Sequence, residues 1–250
     1  MCPYILFQVL YQLFDLYVLN PGRDFSLQFT TPYWLLWYLL VLIFYNLLIP
    51  LIDTSVYRYR VLLIIGSVVL SLLAGYDMSI GYYMSLSRFF TFLPYFLIGY
   101  YCGHPLKDPG SRNLKWIRIL SPFALLMAAV YIWKSPNITS QVLYGSYSYS
   151  SAGYNPCVKL LLMVVALIWI LFLLAWIPNM KLPVISVLGQ NTFPVFLLHG
   201  FFIRLLGTHS IFSFSVSLNL LLAVLLSLII ILLMANRYFT RFFTGRWLLK

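Results

Sequence analysis

The chain has 250 residues, of which 62% are hydrophobic and only 8% are charged, and its mean hydropathy is +0.92. Soluble domains carry roughly 25% charged residues, so this composition excludes a soluble globular protein and indicates an integral membrane protein. The net charge of +11 does not indicate nucleic-acid binding, because the basic residues lie at helix ends and in short loops, where membrane topology places them.

Eight segments are apolar enough to form membrane helices, since a spanning helix needs about 20 mostly apolar residues. The predicted spans are residues 2–19, 33–52, 61–76, 88–103, 116–133, 158–178, 183–206 and 216–236. We therefore expect an all-α fold, a polytopic transmembrane helical bundle of about eight spans that forms one membrane domain over residues 1–250. The three cysteines lie far apart without metal-ligand spacing, and we expect no metal site.

The first and fourth spans carry polar or irregular residues. Gln8 and Asp15 lie within the first span, where exposure to lipid would cost several kcal/mol for each group, so this helix is expected to face other helices. The fourth span contains Pro94 and Gly99, and interrupted spans often line cavities. Arg88 begins this span and either anchors it among lipid headgroups or faces an outward cavity.

The distribution of the basic residues predicts the orientation. With eight spans, eleven lysines and arginines fall on one side, Arg58 and Arg60 among them, and five fall on the other. The positive-inside rule then places the larger group and both chain termini in the cytoplasm. The smaller group consists of Arg23, Arg88, Lys134, Lys159 and Arg204.

The longest connection, residues 134–157, lies outside the cell in this topology. It contains the tyrosine-rich segment 143–154, with the sequence Leu-Tyr-Gly-Ser-Tyr-Ser-Tyr-Ser-Ser-Ala-Gly-Tyr. These tyrosines either form an aromatic belt at the membrane interface or pack flat against sugar rings.

The seventh span contains a polar break followed by a histidine. Gly189 permits the break, and Asn191 or Thr192 can cap the amino end of a new helix. Pro194 suits the first turn of that helix, whose amino end would carry positive potential. Thr192 and His199 then share one face. An ionisable residue at membrane depth is a candidate functional group, and the alternative is a kinked helix whose histidine bonds a neighbour.

Three segments carry a resemblance to a known family. They are residues 34–40 (Trp-Leu-Leu-Trp-Tyr-Leu-Leu), residues 88–101 with the core Phe-Leu-Pro-Tyr-Phe-Leu-Ile-Gly-Tyr, and residues 188–200. Their order resembles acyltransferase family 3, and more narrowly the fucose 4-O-acetylase-like branch of these bacterial membrane O-acyltransferases. The resemblance implies a helical bundle in the bacterial plasma membrane that moves an acyl group, usually acetyl, from cytoplasmic acyl-CoA to a hydroxyl of a cell-envelope sugar or polysaccharide.

The resemblance also implies partners for the protein, but the sequence departs from the family pattern in its amino-terminal part. The partners are the lipid bilayer and a cell-envelope glycan acceptor, without nucleic acid, and acyl-CoA is a co-substrate without a bound cofactor. Members carry an amino-terminal span with an Arg and a catalytic His, followed by a cytoplasmic basic motif, and neither is found in this sequence. We therefore expect an amino-terminally shortened member.

In this setting His199 is the candidate base, because His104 and His209 fall in predicted loops. Arg88, Asn191, Thr192 and Arg204 are the candidate substrate-binding residues, and Arg88, His199 and Arg204 are expected to converge around one outward cavity. Arg58 and Arg60 either bind the CoA phosphates or only set the orientation of the helices in the membrane.

Two alternative functions stay open at the level of sequence. One is a catalytically inactive remnant, or a glycan-binding partner of such an enzyme. The other is a small transporter or flippase that uses the broken seventh helix as its midplane site, although the sequence contains no evident inverted repeat. The sequence does not specify the acceptor, the acyl chain or the oligomeric state.

Overall fold

A computed structural model of the chain describes residues 2–21, 28–103, 112–134, 140–176, 182–208 and 215–243. Every regular element in these ranges is helical and none is a strand, which confirms the all-α prediction. The α-helices are α1 (Cys2–Phe14), α2 (Trp37–Ile52), α3 (Tyr57–Leu73), α4 (Leu86–Cys102), α5 (Arg112–Lys134), α6 (Ser140–Leu143), α7 (Tyr149–Ala152), α8 (Pro156–Trp176), α9 (Pro183–Gln190), α10 (Thr192–Thr208), α11 (Val216–Met234) and α12 (Arg237–Phe243). A π-helical turn, Asp15–Leu19, extends α1, and 3-10 turns precede α2 and α4.

Within the described residues, three helices are long and apolar enough to cross a membrane. They are Trp34–Ile52, Pro156–Trp176 and Val216–Met234. Shorter apolar helices accompany them at Pro3–Leu19, Trp116–Ile132 and Thr192–Thr208. This set of helices agrees with the membrane protein that the composition indicates.

Seven of the eight predicted spans each coincide with one α-helix, and the seventh span in the chain coincides with two, α9 and α10, but some boundaries differ. Helix α3 begins at Tyr57 rather than at residue 61, because Arg58 and Arg60 continue the backbone hydrogen bonding although they end the apolar pattern. Helix α4 continues through Pro94 without a break. Residues 177 and 178 of the sixth predicted span lie outside the described residues.

The chain divides into two compact units, which we describe separately. The terminal unit comprises Met1–Leu36 and Met180–Lys250, and the central unit comprises Trp37–Asn179. The expectation of one membrane domain over residues 1–250 stays a prediction.

In the terminal unit, α1 packs against α10 through aromatic side chains. The Tyr11 ring stacks on Phe201 with 4.0 Å between the ring centroids, and its hydroxyl donates to the carbonyl oxygen of Leu197 at 2.9 Å. Gln8 is fully buried, donates from Nε2 to the carbonyl of Gln28 and accepts the backbone N–H of Tyr33. The first helix therefore faces protein at its polar positions, as predicted.

In the central unit, α3 packs along α4 and α5 packs along α8. Val41, Tyr45, Leu93 and Leu97 form part of one buried cluster. Tyr45 stacks on Phe96 at 4.4 Å between centroids, which joins α2 to α4. Arg118, near the start of α5, donates from Nε to the carbonyl of Ala175, near the end of α8, at 2.6 Å.

The tyrosine-rich segment folds against the ends of α3 and α4. The Tyr149 hydroxyl donates to the carbonyl of Leu72 at 2.8 Å, and Tyr154 donates to the carbonyl of Tyr147 at 3.2 Å. Burial raises the pKa of both Tyr149 and Tyr154. These two tyrosines are core residues and are neither belt nor sugar platform, whereas Tyr144 is exposed.

Candidate functional site

The polar break in the seventh span lies where the sequence predicts it. Helix α9 ends at Gln190, Asn191 leaves helical geometry with φ −111° and ψ 25°, and α10 begins at Thr192. Asn191 Nδ2 donates to the carbonyl of Val187 at 2.8 Å, and Thr192 Oγ1 donates to the carbonyl of Gly189 at 3.1 Å. Both side chains therefore satisfy carbonyls that the end of α9 leaves unpaired. Their contact with a substrate stays a prediction.

A cavity of about 660 Å³ lies between α10 and α11, within the usual size range of ligand pockets. Most of its lining is aliphatic, and its polar side chains are Thr192, His199 and Ser227. The remaining lining residues are Val195, Phe196, Ile203, Leu206, Gly207, Ala223, Leu226, Ile230 and Ile231. Thr192 and His199 thus share one face of α10, as their spacing predicts.

His199 is held in one tautomer by its own helix. Its Nδ1 lies 2.8 Å from the carbonyl oxygen of Val195, one turn earlier. A carbonyl oxygen accepts only, so Nδ1 carries the hydrogen in this contact and the lone pair of the neutral ring is at Nε2. This hydrogen bond to a residue one turn away also fits the alternative interpretation, a kinked helix whose histidine bonds a neighbour, so the contact leaves both interpretations open. In its neutral form the ring that lines the cavity carries its basic lone pair at Nε2.

Arg204 belongs to a different face of α10. It follows His199 by five residues, which corresponds to about 140° around a helix of 3.6 residues per turn. Its Nη2 donates to the Tyr33 hydroxyl at 2.8 Å and lies 3.5 Å from Asp15 Oδ1. The structure therefore places Arg204 in a polar cluster with α1, and it does not line the His199 cavity.

Arg88 lies in the first turn of α4, in the central unit. Its Nε donates to the carbonyl of Tyr144 at 3.2 Å, and its Nη2 donates to Ser146 Oγ at 3.4 Å. The guanidinium carbon is 4.8 Å from the centroid of Trp37 and 5.4 Å from that of Tyr82. Within the described part of the chain, no carboxylate forms an ion pair with Arg88.

The expected convergence of Arg88 with His199 and Arg204 stays a prediction, because Arg88 lies in the other unit. His104 and His209, which the sequence assigns to loops, lie outside the described residues.

Arg58 and Arg60 lie in the first turn of α3, at the other end of the central unit. Arg58 is exposed, whereas Arg60 Nε donates to the carbonyl of Thr54 at 2.7 Å and lies over the Tyr101 ring. Tyr101 follows Arg88 by thirteen residues on α4, or about 20 Å along the helix axis. The two ends therefore carry separate cations, as the predicted topology requires, and contact with CoA phosphates stays a prediction.

Two polar residues were not predicted as site residues from the sequence. Lys159 was used there only as a topological marker, but it is 6% exposed and donates from Nζ to the carbonyl of Ser71 at 2.6 Å. Its place at the start of a predicted apolar span gives no local signal that distinguishes contact with headgroups from burial. Ser227, which lines the His199 cavity, is one of two serines in α11, and nothing local distinguishes it.

Comparison with known protein families identifies the chain. The family model of the acyltransferase domain, acyltransferase family 3, matches residues 1–236, so the chain belongs to this family. No curated protein and no solved structure matches it significantly. The resemblance to acyltransferase family 3 is thereby confirmed, and the chain is assigned to the membrane acyltransferases, while the narrower branch stays a prediction.

Proposed function

We propose, from this family membership, that the protein is a membrane O-acyltransferase of the fucose 4-O-acetylase-like branch in the bacterial plasma membrane. It transfers an acyl group, acetyl in the simplest case, from acyl-CoA to a hydroxyl of a cell-envelope sugar or polysaccharide. The observation that carries the proposal is His199, whose Nδ1 is fixed on Val195 while its ring lines the cavity between α10 and α11.

The proposed reaction uses the lone pair at His199 Nε2. The acceptor hydroxyl gives its proton to Nε2 while its oxygen attacks the carbonyl carbon of the thioester. A C–O bond forms, the C–S bond breaks, and the proton passes from the imidazolium to the thiolate. The products are the O-acylated acceptor and CoA with a free thiol, and a general base of this kind contributes about 10²–10⁴-fold.

The cavity lining supports a role in holding the acyl group. Val195, Ile203 and Leu226 are among the aliphatic side chains around His199, and they offer an acyl group an apolar surface. An apolar lining also excludes water, which would otherwise hydrolyse the thioester.

Arg88, within the central unit, has the chemistry to bind an acceptor sugar. Its Nε and Nη2 are engaged, but a guanidinium has five N–H donors, so further donors remain for hydroxyl or carboxylate oxygens. Trp37 and Tyr82 lie beside it, and aromatic surfaces pack well against the apolar faces of sugar rings.

Acyl transfer by the purified protein tests this function. Acetyl-CoA and cell-envelope polysaccharide are supplied, and both the released thiol and the acetyl group on the polysaccharide are measured. We expect His199→Ala to lower turnover about 10²–10⁴-fold without unfolding the protein. Phe202→Ala is the matched control, since Phe202 lies on the next turn of α10 and is outside the cavity lining.

Unchanged turnover in His199→Ala would remove this residue from the mechanism. Binding of polysaccharide by the unmodified protein without any thiol release would indicate a glycan-binding partner. Movement of the glycan across a sealed vesicle without acetylation would indicate the flippase alternative.

A further inference from the structure

Lys159 is a buried cation in the central unit. Its side chain is 6% exposed, and its ammonium group donates to the carbonyl of Ser71 and lies 5.9 Å from the centroid of Tyr149. Among the described residues, no carboxylate forms an ion pair with it. An ammonium group has three N–H donors, so Ser71 satisfies only part of its capacity. A buried charge in this state is costly unless a further acceptor reaches it.

A cavity of about 320 Å³ contains this side chain. Its walls come from α4, from α6 and the residue Gly145 beyond it, and from one face of α8. The lining residues are Thr91, Phe92, Tyr95, Val142, Leu143, Gly145, Lys159, Leu162, Met163, Ala166 and Ile170. The lining is therefore mostly apolar, and its polar side chains are those of Thr91, Tyr95 and Lys159.

The lining of α8 gives the cavity a direction. Apart from the adjacent pair Leu162 and Met163, the lining residues of α8 are spaced by three or four residues, which keeps them on one helix face. From Lys159 to Ile170 the helix rises about 16 Å. Lys159 is the fourth residue of α8, so the cation lies near one end of the helix and the apolar strip runs from there toward its middle.

We infer that this cavity binds a single-chain anionic amphiphile, with its acidic head on the Lys159 ammonium group and its acyl chain along Leu162, Ala166 and Ile170. The anion supplies a further acceptor for Lys159 beside the Ser71 carbonyl, and the chain removes apolar surface from water. The head lies at the end of the helix and the chain points inward, as it does for an amphiphile within a leaflet. A free fatty acid and a lysophospholipid share this chemistry.

Direct binding to the purified full chain tests the inference, and it is independent of the acyl-transfer proposal because no acyl donor is present. Tritiated dodecanoate is titrated against the protein in detergent. We expect Lys159→Met to weaken binding about tenfold or more, as loss of a hydrogen bond to a charged group predicts. Lys134→Met is the matched control, since Lys134 is an exposed cation at the end of α5. This variant should bind dodecanoate with the same affinity as the unmodified protein.

Two further measurements keep the test decisive if Lys159→Met does not fold. Dodecanol, which has the same chain with a neutral head, should compete at least tenfold more weakly than dodecanoate against the unmodified protein. Ala166→Phe should block the chain while it leaves Lys159 in place. Competition by lysophosphatidate identifies which acidic head the site prefers. The inference is overturned if Lys159→Met binds dodecanoate as tightly as the unmodified protein, or if dodecanol competes equally well.

Discussion

Asp15, Tyr33 and Arg204 form a polar cluster in which Arg204 donates a hydrogen bond to Tyr33 and Tyr33 donates one to Asp15. The Tyr33 hydroxyl donates its single hydrogen to Asp15 Oδ1 at 3.1 Å and accepts a hydrogen from Arg204 Nη2 at 2.8 Å. Asn20 Nδ2 adds a further donor to the same carboxylate oxygen. Asp15 is 9% exposed, so a carboxylate there depends on these donors. The cluster ties the π-helical turn after α1 to α10.

We predict that Arg204→Gln mainly lowers stability. The change removes a charged donor from the cluster, which corresponds to about 1–2 kcal/mol because Arg204 is 44% exposed and partly screened. Thermal unfolding in detergent measures the loss. The double variant Asp15→Asn with Arg204→Gln should recover part of it, since no uncompensated carboxylate remains. A raised KM for the acceptor with unchanged thermal stability would instead make Arg204 a substrate ligand.

The contact between α1 and α10 depends on a residue without a side chain. A Cβ atom built on Gly200 would meet the Tyr11 hydroxyl oxygen at 2.2 Å and the adjacent ring carbon at 3.0 Å. Tyr11 is 1% exposed and is fixed by Phe201 and by the carbonyl of Leu197, so it has little freedom to move away. Gly200 therefore sets the spacing at which the two helices pack.

We predict that Gly200→Ala destabilises the protein by about 1–3 kcal/mol, because the added methyl group overpacks this contact. Tyr11→Phe alone should cost about 1 kcal/mol through the lost hydrogen bond to Leu197. Since Phe lacks the oxygen that the methyl group would strike, the double variant should lose less than the two single changes together. Chemical unfolding of all four proteins measures the coupling, and simple additivity would contradict the proposed contact.

The elements that sequence predicts well are those with local causes. The break after Gln190 lies within the predicted segment 189–192, and there the Asn191 and Thr192 side chains donate to carbonyls of α9 that lie three or four residues earlier. The eight helical segments follow from apolar runs. Helix ends are predicted less well, because Arg58 ends an apolar pattern without ending the backbone hydrogen bonds of α3.

Site residues with distant partners are harder to predict. Lys159 and Ser71 are 88 positions apart, and the Tyr149 hydroxyl reaches Leu72 across 77 positions. Nothing in the neighbourhood of Lys159 in the sequence shows whether its side chain turns toward headgroups or into a cavity. His199 lies between these cases, because its Val195 contact is local while its cavity requires α11.

At the scale of the whole molecule, the positive-inside rule predicts which side of the membrane each end of the helices faces. The predicted topology places the Arg58 end of α3 in the cytoplasm and the Lys159 end of α8 outside. Two native cysteines mark these ends, since Cys102 is the last residue of α4 and Cys157 is the second residue of α8. Both are exposed free thiols.

We predict that a membrane-impermeant maleimide applied to intact spheroplasts labels Cys157 and leaves Cys102 unlabelled until the membrane is permeabilised. The reason is the excess of basic residues on the Cys102 side, which the positive-inside rule holds in the cytoplasm. Each thiol is tested alone, with Cys2→Ser and the other cysteine also changed to Ser, and a variant without cysteine sets the background. Labelling of Cys102 alone would invert the orientation, and it would then place Arg88 and its neighbouring aromatic rings on the side of the acyl donor. Labelling of both thiols without permeabilisation would contradict the assignment of the two ends to opposite faces.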